Sequence, residues 1–150
     1  MMAERRVIDL KAEIAAQFRG EAPLAPVEEL LGLRFVAWGE GESRWELDAE
    51  KRFHNPTGIV QGGILTALAD VSMATAFIST LSPNEMFTTV ELKINYLRPV
   101  SVGTISATGR VLHRGRTTGL LESVVADGNG KEVARATSTV LVLAQRDDVG

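Results

Sequence analysis

The chain has 150 residues, 45% of them apolar and 23% charged, with a net charge of −3. A chain of this size forms one domain and buries about 70% of its unfolded surface without covalent staples. It contains no cysteine and only two histidines, His54 and His113. That excludes thiolate nucleophiles, redox chemistry and thiolate metal sites, and leaves too few imidazoles for a protein-built zinc centre. The acidic balance argues against bulk nucleic-acid binding. No signal peptide and no membrane span are expected, so the composition predicts a soluble, cytoplasmic domain.

Val7, Leu10, Ile14 and Phe18 recur at helical spacing and predict an amphipathic N-terminal helix over about 4–19, ending at Gly20. Pro26 opens a short helical turn through Leu31, stopped by Gly32. Leu33 to Trp38 and Arg44 to Leu47 read as two strands around Gly39-Glu40-Gly41, with Trp38 and Trp45 as packing residues. From Phe53 to Asn84 one formally charged side chain occurs, Asp70. After Gly62-Gly63, the run Ile64 to Ile78 is apolar or small nearly all round, which predicts a helix with no solvent face.

The second half reads as four strands. Val90, Leu92, Ile94 and Tyr96 alternate with Thr89, Glu91, Lys93 and Asn95, a half-buried strand limited by Pro99. Thr104 to Leu112, Thr117 to Ala126 and Glu132 to Leu143 follow, the last two joined by the hairpin signal Asp127-Gly128-Asn129-Gly130. An antiparallel sheet wrapped around one apolar helix, an α+β fold, satisfies this order.

Three elements carry chemistry. Asp70 is a carboxylate in the middle of an apolar helix, with no lysine or arginine on that helix to pair with it. Such burial is unfavourable by several kcal/mol unless the acid is paired, solvated or used. Asn55-Pro56-Thr57-Gly58-Ile59-Val60-Gln61-Gly62-Gly63 is a turn-rich approach to the helix N-terminus. There the first N–H groups are unpaired, and glycine admits close approach of a carbonyl oxyanion. Gly62 and Asp70 lie ~12 Å apart along one helix, too far to act on one carbonyl. Two antiparallel copies bring Gly62 of one chain beside the acid of the other, so a dimer with two interface sites is expected. Between Lys93 and Arg116 stand Lys93, Arg98, Arg110, Arg114 and Arg116 with no acid among them, which suggests an anionic small ligand.

Three segments, His54 to Gly63, Leu68-Ala69-Asp70 and Thr89 to Pro99, resemble the hotdog-fold acyl-CoA thioesterases. The phenylacetate-degradation type, related to hydroxybenzoyl-CoA thioesterases, is the nearest group, and the resemblance runs from about Leu24 to Leu143. It implies a long helix wrapped by an antiparallel sheet, in dimers with shared sites that often pair into tetramers. It also implies hydrolysis of acyl- or aryl-CoA to free acid and coenzyme A, with no metal and no cofactor beyond the coenzyme A of the substrate itself. By position, Asp70 is the catalytic carboxylate, as general base or as nucleophile. Gly62 is the oxyanion donor, Asn55 a positioning residue and Thr89 a hydroxyl that holds water, with Thr88 as its alternative on the opposite face. Gly63 completes the glycine pair, and Arg114 and Arg116 are the candidates for the coenzyme A phosphates. Many relatives have His-Gly-Gly where this chain has Gln61-Gly62-Gly63. Gln61 hydrogen-bonds but cannot transfer a proton near neutral pH, which leaves proton transfer to Asp70. Two alternatives stay open at this point. One is a non-catalytic acyl-CoA-binding protein. The other is an enoyl-thioester hydratase or dehydratase, which would need a histidine such as His54 beside the acid.

Overall fold

The computed structural model describes residues 7–145. Helix α1 (Leu10–Phe18) is capped by Asp9, whose carboxylate accepts from the Ala12 N–H at 3.0 Å. The expected start near Glu4 is thereby moved: Asp9 sets the boundary, Val7 to Asp9 are not helical, and residues 4–6 lie outside the described residues. Helix α2 (Pro26–Leu31) starts on proline and ends on Gly32 at φ 69°, the left-handed cap that glycine adopts without strain. Strands β1 (Arg34–Gly39) and β2 (Glu42–Ala49) form a hairpin. A single 3-10 turn at Lys51–Phe53, not foreseen from the sequence, leads to the loop before α3 (Gly62–Ile78). Strands β3 (Glu85–Tyr96), β4 (Gly103–Arg114), β5 (Thr118–Ala126) and β6 (Glu132–Ala144) follow.

The six strands make one antiparallel sheet in the order β1-β2-β4-β5-β6-β3. Alternate residues of the strands point at α3: Trp45, Leu47, Ile105, Leu121, Val125 and Val140 are buried against Leu65, Leu68, Ala69, Met73 and Phe77 of the helix. This is the hotdog arrangement expected from the sequence. Gly109 is where sheet and helix come closest. A Cβ there would land inside contact distance of the Ser72 carbonyl oxygen. Buried hydroxyls line the same contact. Ser43 Oγ donates to Ser72 O at 2.6 Å, the Trp45 indole donates to Thr75 Oγ1 at 2.9 Å, and Ser72 and Ser123 hydroxyls pair at 2.8 Å. No buried polar group in this layer is left without a partner, so the layer stabilises rather than weakens the core. Trp45 stacks on Phe35 with ring centroids 4.2 Å apart and Trp38 donates to Thr75 O, so both tryptophans pack as expected.

Two expectations are corrected. Helix α3 is not covered all round: Gly63, Ala67, Asp70 and Ala74, spaced to share one face, stay partly open in the single chain. These are small residues, which leave that face shallow. Strand β3 is not a simple alternation either. Its pairing with β6 slips between Thr89 and Glu91, leaving Val90 unpaired and 62% exposed. Thr89 pairs with buried Val140, and Phe87 two residues earlier packs on Phe77. Thr89 therefore joins the helix-facing side with Leu92, Ile94 and Tyr96, although strict alternation had assigned it to the other face.

Candidate active site

The approach to α3 is held by its own side chains and backbone. Asn55 Oδ1 accepts from the Thr57 N–H at 2.9 Å and from the Thr57 hydroxyl at 2.7 Å, closing the turn. His54 and Val60 form an isolated bridge, Val60 N–H donates to Val100 O, and Gln61 N–H donates to Phe53 O. With Asn55 Oδ1 engaged in the loop, its amide N–H donors are what it can offer a ligand.

At the helix start, Gln61 occupies the cap position, yet its side chain makes no cap hydrogen bond. The Gly62 and Gly63 N–H groups find no acceptor among the described residues. Two open donors at the positive end of a 17-residue helix form a site for developing negative charge. They border an open groove of about 550 Å3 lined by Asn55, Gln61, Gly62, Gly63, Tyr96 and Arg98 among others. The structure thus brings four of the sequence-predicted residues together.

Asp70 stands two turns farther along α3, outside that groove. Burial pushes its carboxyl above the usual carboxylate range, and neither a cation nor a hydrogen-bond donor offsets this among the described residues. It lies on the same open face as Gly63, so one chain holds the donors and the acid ~12 Å apart and joins them by no contact of its own.

The remaining predicted residues divide. Thr89 faces the helix side of β3, while Thr88 pairs with Leu141 and faces away. Thr89 is nonetheless exposed in the single chain. Arg114 is engaged elsewhere: it bonds Glu85 at 2.8 Å, donates to Gly115 O and lies 5.2 Å from the Phe77 ring centroid. Arg116 is exposed in the β4–β5 turn. The arginine that lines the groove is Arg98, which the sequence showed only as one of a basic run. Tyr96, on the apolar side of the half-buried strand that its spacing predicts, is a groove wall. His54 Nε2 sits 2.8 Å from Ser101 O, a contact that ties the loop before α3 to the segment after β3.

Comparison with known proteins agrees with this frame. A thioesterase superfamily model matches residues 57–134, the stretch that carries Gln61, Gly62, Asp70 and Thr89. A 1,4-dihydroxy-2-naphthoyl-CoA hydrolase of Listeria monocytogenes is 24% identical over 120 residues, covering 80% of this chain and 98% of its own. A phenylacetic-acid-degradation-related protein of Ralstonia eutropha superposes with a TM-score of 0.78 at 32% identity, covering 85% of this chain and 97% of its own. A conserved protein of Pseudomonas aeruginosa superposes with a TM-score of 0.76 at 35% identity, covering 80% and 95%. Among the described residues no helix is long and apolar enough to cross a membrane. With the sheet order, the lone acid and the open helix start on one frame, the chain belongs to the thioesterase superfamily, as a hotdog-fold thioester hydrolase.

Proposed function

We propose that the protein is a cytoplasmic acyl-CoA thioesterase whose active sites form between two subunits. The observation that carries this reading is the separation on α3 of an acid without a counter-cation among the described residues from two N–H donors that find no acceptor among them. Antiparallel pairing of two α3 helices through the Gly63, Ala67, Asp70 and Ala74 face sets each acid against the other chain's donors. The exposed β3 edge, with Val90 outermost, supports a partner on the same side. Pairing of dimers into a tetramer, implied by the family, belongs to the same proposal.

In this site the thioester oxygen sits against the Gly62 N–H, and the Asn55 amide and Gln61 orient the reacting groups. The Asp70 carboxylate either takes a proton from water, which attacks the carbonyl, or attacks it directly to give a mixed anhydride that water then opens. In both routes the carbon–sulfur bond breaks: in the first the proton that Asp70 took from water passes to the departing sulfur, and in the second coenzyme A leaves as the thiolate and takes its proton from solvent. Thr89 holds the water beside the carboxylate. No metal or resident cofactor takes part in this proposal.

The same helix arithmetic bears on the phosphates. If Gly62 lies level with Asp70 of the partner subunit, the partner's Phe77 lies ~10 Å beyond Gly62, on the loop side. Arg114 packs over that ring and Arg116 follows it, so these side chains approach the groove mouth from the partner while Arg98 lines it from within. Arg114 is already bonded to Glu85, which makes Arg98 and Arg116 the first candidates for the phosphates. The name of the Listeria relative, an aryl-CoA hydrolase, places aromatic acyl groups first in a substrate screen.

A panel of aryl- and aliphatic acyl-CoA esters, read by thiol release, tests the proposal. Turnover of at least one ester by a dimeric or larger species, abolished in Asp70→Asn, is the expected result. Full activity in that variant, or activity of a monomer, rejects the shared site.

A further inference from the structure

Tyr96 and Thr66 are 30 positions apart in sequence and meet at the helix start. Thr66 Oγ1 donates to Gly62 O at 2.9 Å. Its single proton is thereby committed, so the 2.7 Å contact between the Thr66 and Tyr96 hydroxyls has the phenol as donor. The result is a chain running from the Tyr96 O–H through the Thr66 O–H to the Gly62 carbonyl, which also takes the regular helical bond from Thr66 N. That carbonyl belongs to the peptide whose N–H is Gly63's, one of the two open donors. Hydrogen bonds to a peptide oxygen polarise the peptide and strengthen its N–H as a donor, and consecutive bonds reinforce one another. The Tyr96 ring adds a steric hold. A Cβ on Gly62 would sit 2.7 Å from Tyr96 Cζ, so the ring rests directly on the Gly62 backbone. Tyr96 itself is 51% exposed and lines the groove, so core packing does not account for its position.

We propose that Tyr96, acting through Thr66, is a positioning residue for the oxyanion site, orienting the Gly62–Gly63 peptide and making the Gly63 N–H the second donor beside that of Gly62. This inference rests on the reading of the helix start as the place where the thioester oxygen binds. It goes beyond that reading in assigning two donors rather than one, and a pair of hydroxyls that tune the second.

Two measurements on the whole protein test it. Tyr96→Phe keeps the ring and removes the phenol; Thr66→Val removes the relay and Thr66→Ser restores it. Loss of a hydrogen bond that acts only through a donor's strength lowers kcat by about 3- to 10-fold. Tyr96→Phe and Thr66→Val are each expected to show that loss with KM within about 2-fold, Thr66→Ser to keep most of kcat, and the double variant to be no slower than Thr66→Val. The second readout is the Gly63 amide proton shift in a 15N–1H spectrum, expected to move upfield in Tyr96→Phe with neighbouring loop resonances unmoved. Unchanged kcat in both single variants, a loss confined to KM, or a Gly63 resonance that stays in place overturns the proposal. If wild-type protein releases no thiol from any ester, the thioesterase reading fails, and the Gly63 resonance alone still decides whether the relay exists.

Discussion

The two ends of helix α3 are finished in different ways. At its C-terminal end hydrogen bonds and packing close the structure, although the buried Arg114 Nε finds no partner among the described residues. Ser79 Oγ donates to Ala76 O at 2.6 Å and accepts from the Gly41 N–H at 2.7 Å, and Thr80 donates to Phe77 O. Phe77 is fully buried beneath Arg114, which bonds Glu85. At the N-terminal end the cap residue makes no side-chain cap bond, two glycines follow, and two N–H groups beside a groove find no acceptor among the described residues. Helix ends are satisfied by caps, by water or by ligands, and in the proposed site the thioester oxygen is the acceptor at the open end. On the proposed reading the difference is one of function: one end stabilises the fold, and the other binds the thioester oxygen.

The contrast breaks most sharply at the acid between the two ends. Asp70→Asn is expected to lower kcat by about 100-fold or more while thermal stability rises, a separation read by steady-state kinetics and melting. The sign follows from burial. The Asp70 carboxyl in the folded protein lies above its ordinary value near 3.9, so below that pH folded and unfolded chains are both neutral there. As pH rises the unfolded chain ionises first, and stability falls until the folded carboxyl ionises too. Asp70→Asn removes that decline, and the acid limb of wild-type kcat/KM should lie above the usual aspartate range.

At the open end, Gly62→Ala pushes a methyl group into the Tyr96 ring and is expected to cut kcat by about 10-fold or more, with a smaller loss of melting temperature. At the closed end the order reverses. Glu85→Gln weakens a half-buried pair with Arg114, with an expected loss of about 1–2 kcal/mol, or roughly 3–6 °C in melting, and little change in kcat. Because the Glu85 carboxyl is held below its ordinary range, by the Ser82 N–H first and by Arg114 in addition, this contribution is present at neutral pH and fades as pH falls through the folded value. The smallest effect is expected for Ser79→Ala, about 1 kcal/mol in denaturant unfolding with kcat unchanged. A strong kinetic effect from Glu85 or Ser79 would erase the distinction between the two ends.

Much of this frame was legible in the sequence because it rests on local pattern. The helix after Gly62-Gly63, the stop at Gly32 and the Asp127 turn each have a residue-level cause and form where the sequence places them, although one face of the helix stays open. The open donors and the exceptional acid were legible for the same reason. What sequence spacing concealed depends on register and distance. Thr89 reaches the helix side through a slip opposite β6, which strict alternation of β3 does not contain. The place of β3 beside β6 at the sheet edge is a choice of topology, not of strand propensity. The Arg114–Glu85 pair and the Tyr96–Thr66 contact join residues about thirty positions apart, and no local signal marks either. The extent of α1 was overread because apolar periodicity continues past Asp9, where the side-chain cap stops the helix.

Gly109 has a consequence for how such a protein can change. Its missing side chain lets β4 touch the helix backbone at Ser72, two residues from Asp70. That contact pins the acid's height above the sheet much as a bolt pins a beam. On the proposed reading, groove walls can then be rebuilt around a new acyl group by exchanging surface residues, while the Asp70 carboxylate stays where it is. Variation in substrate and constancy of chemistry then become separable, and a methyl group at 109 would press first on the Ser72–Met73 peptide of the helix.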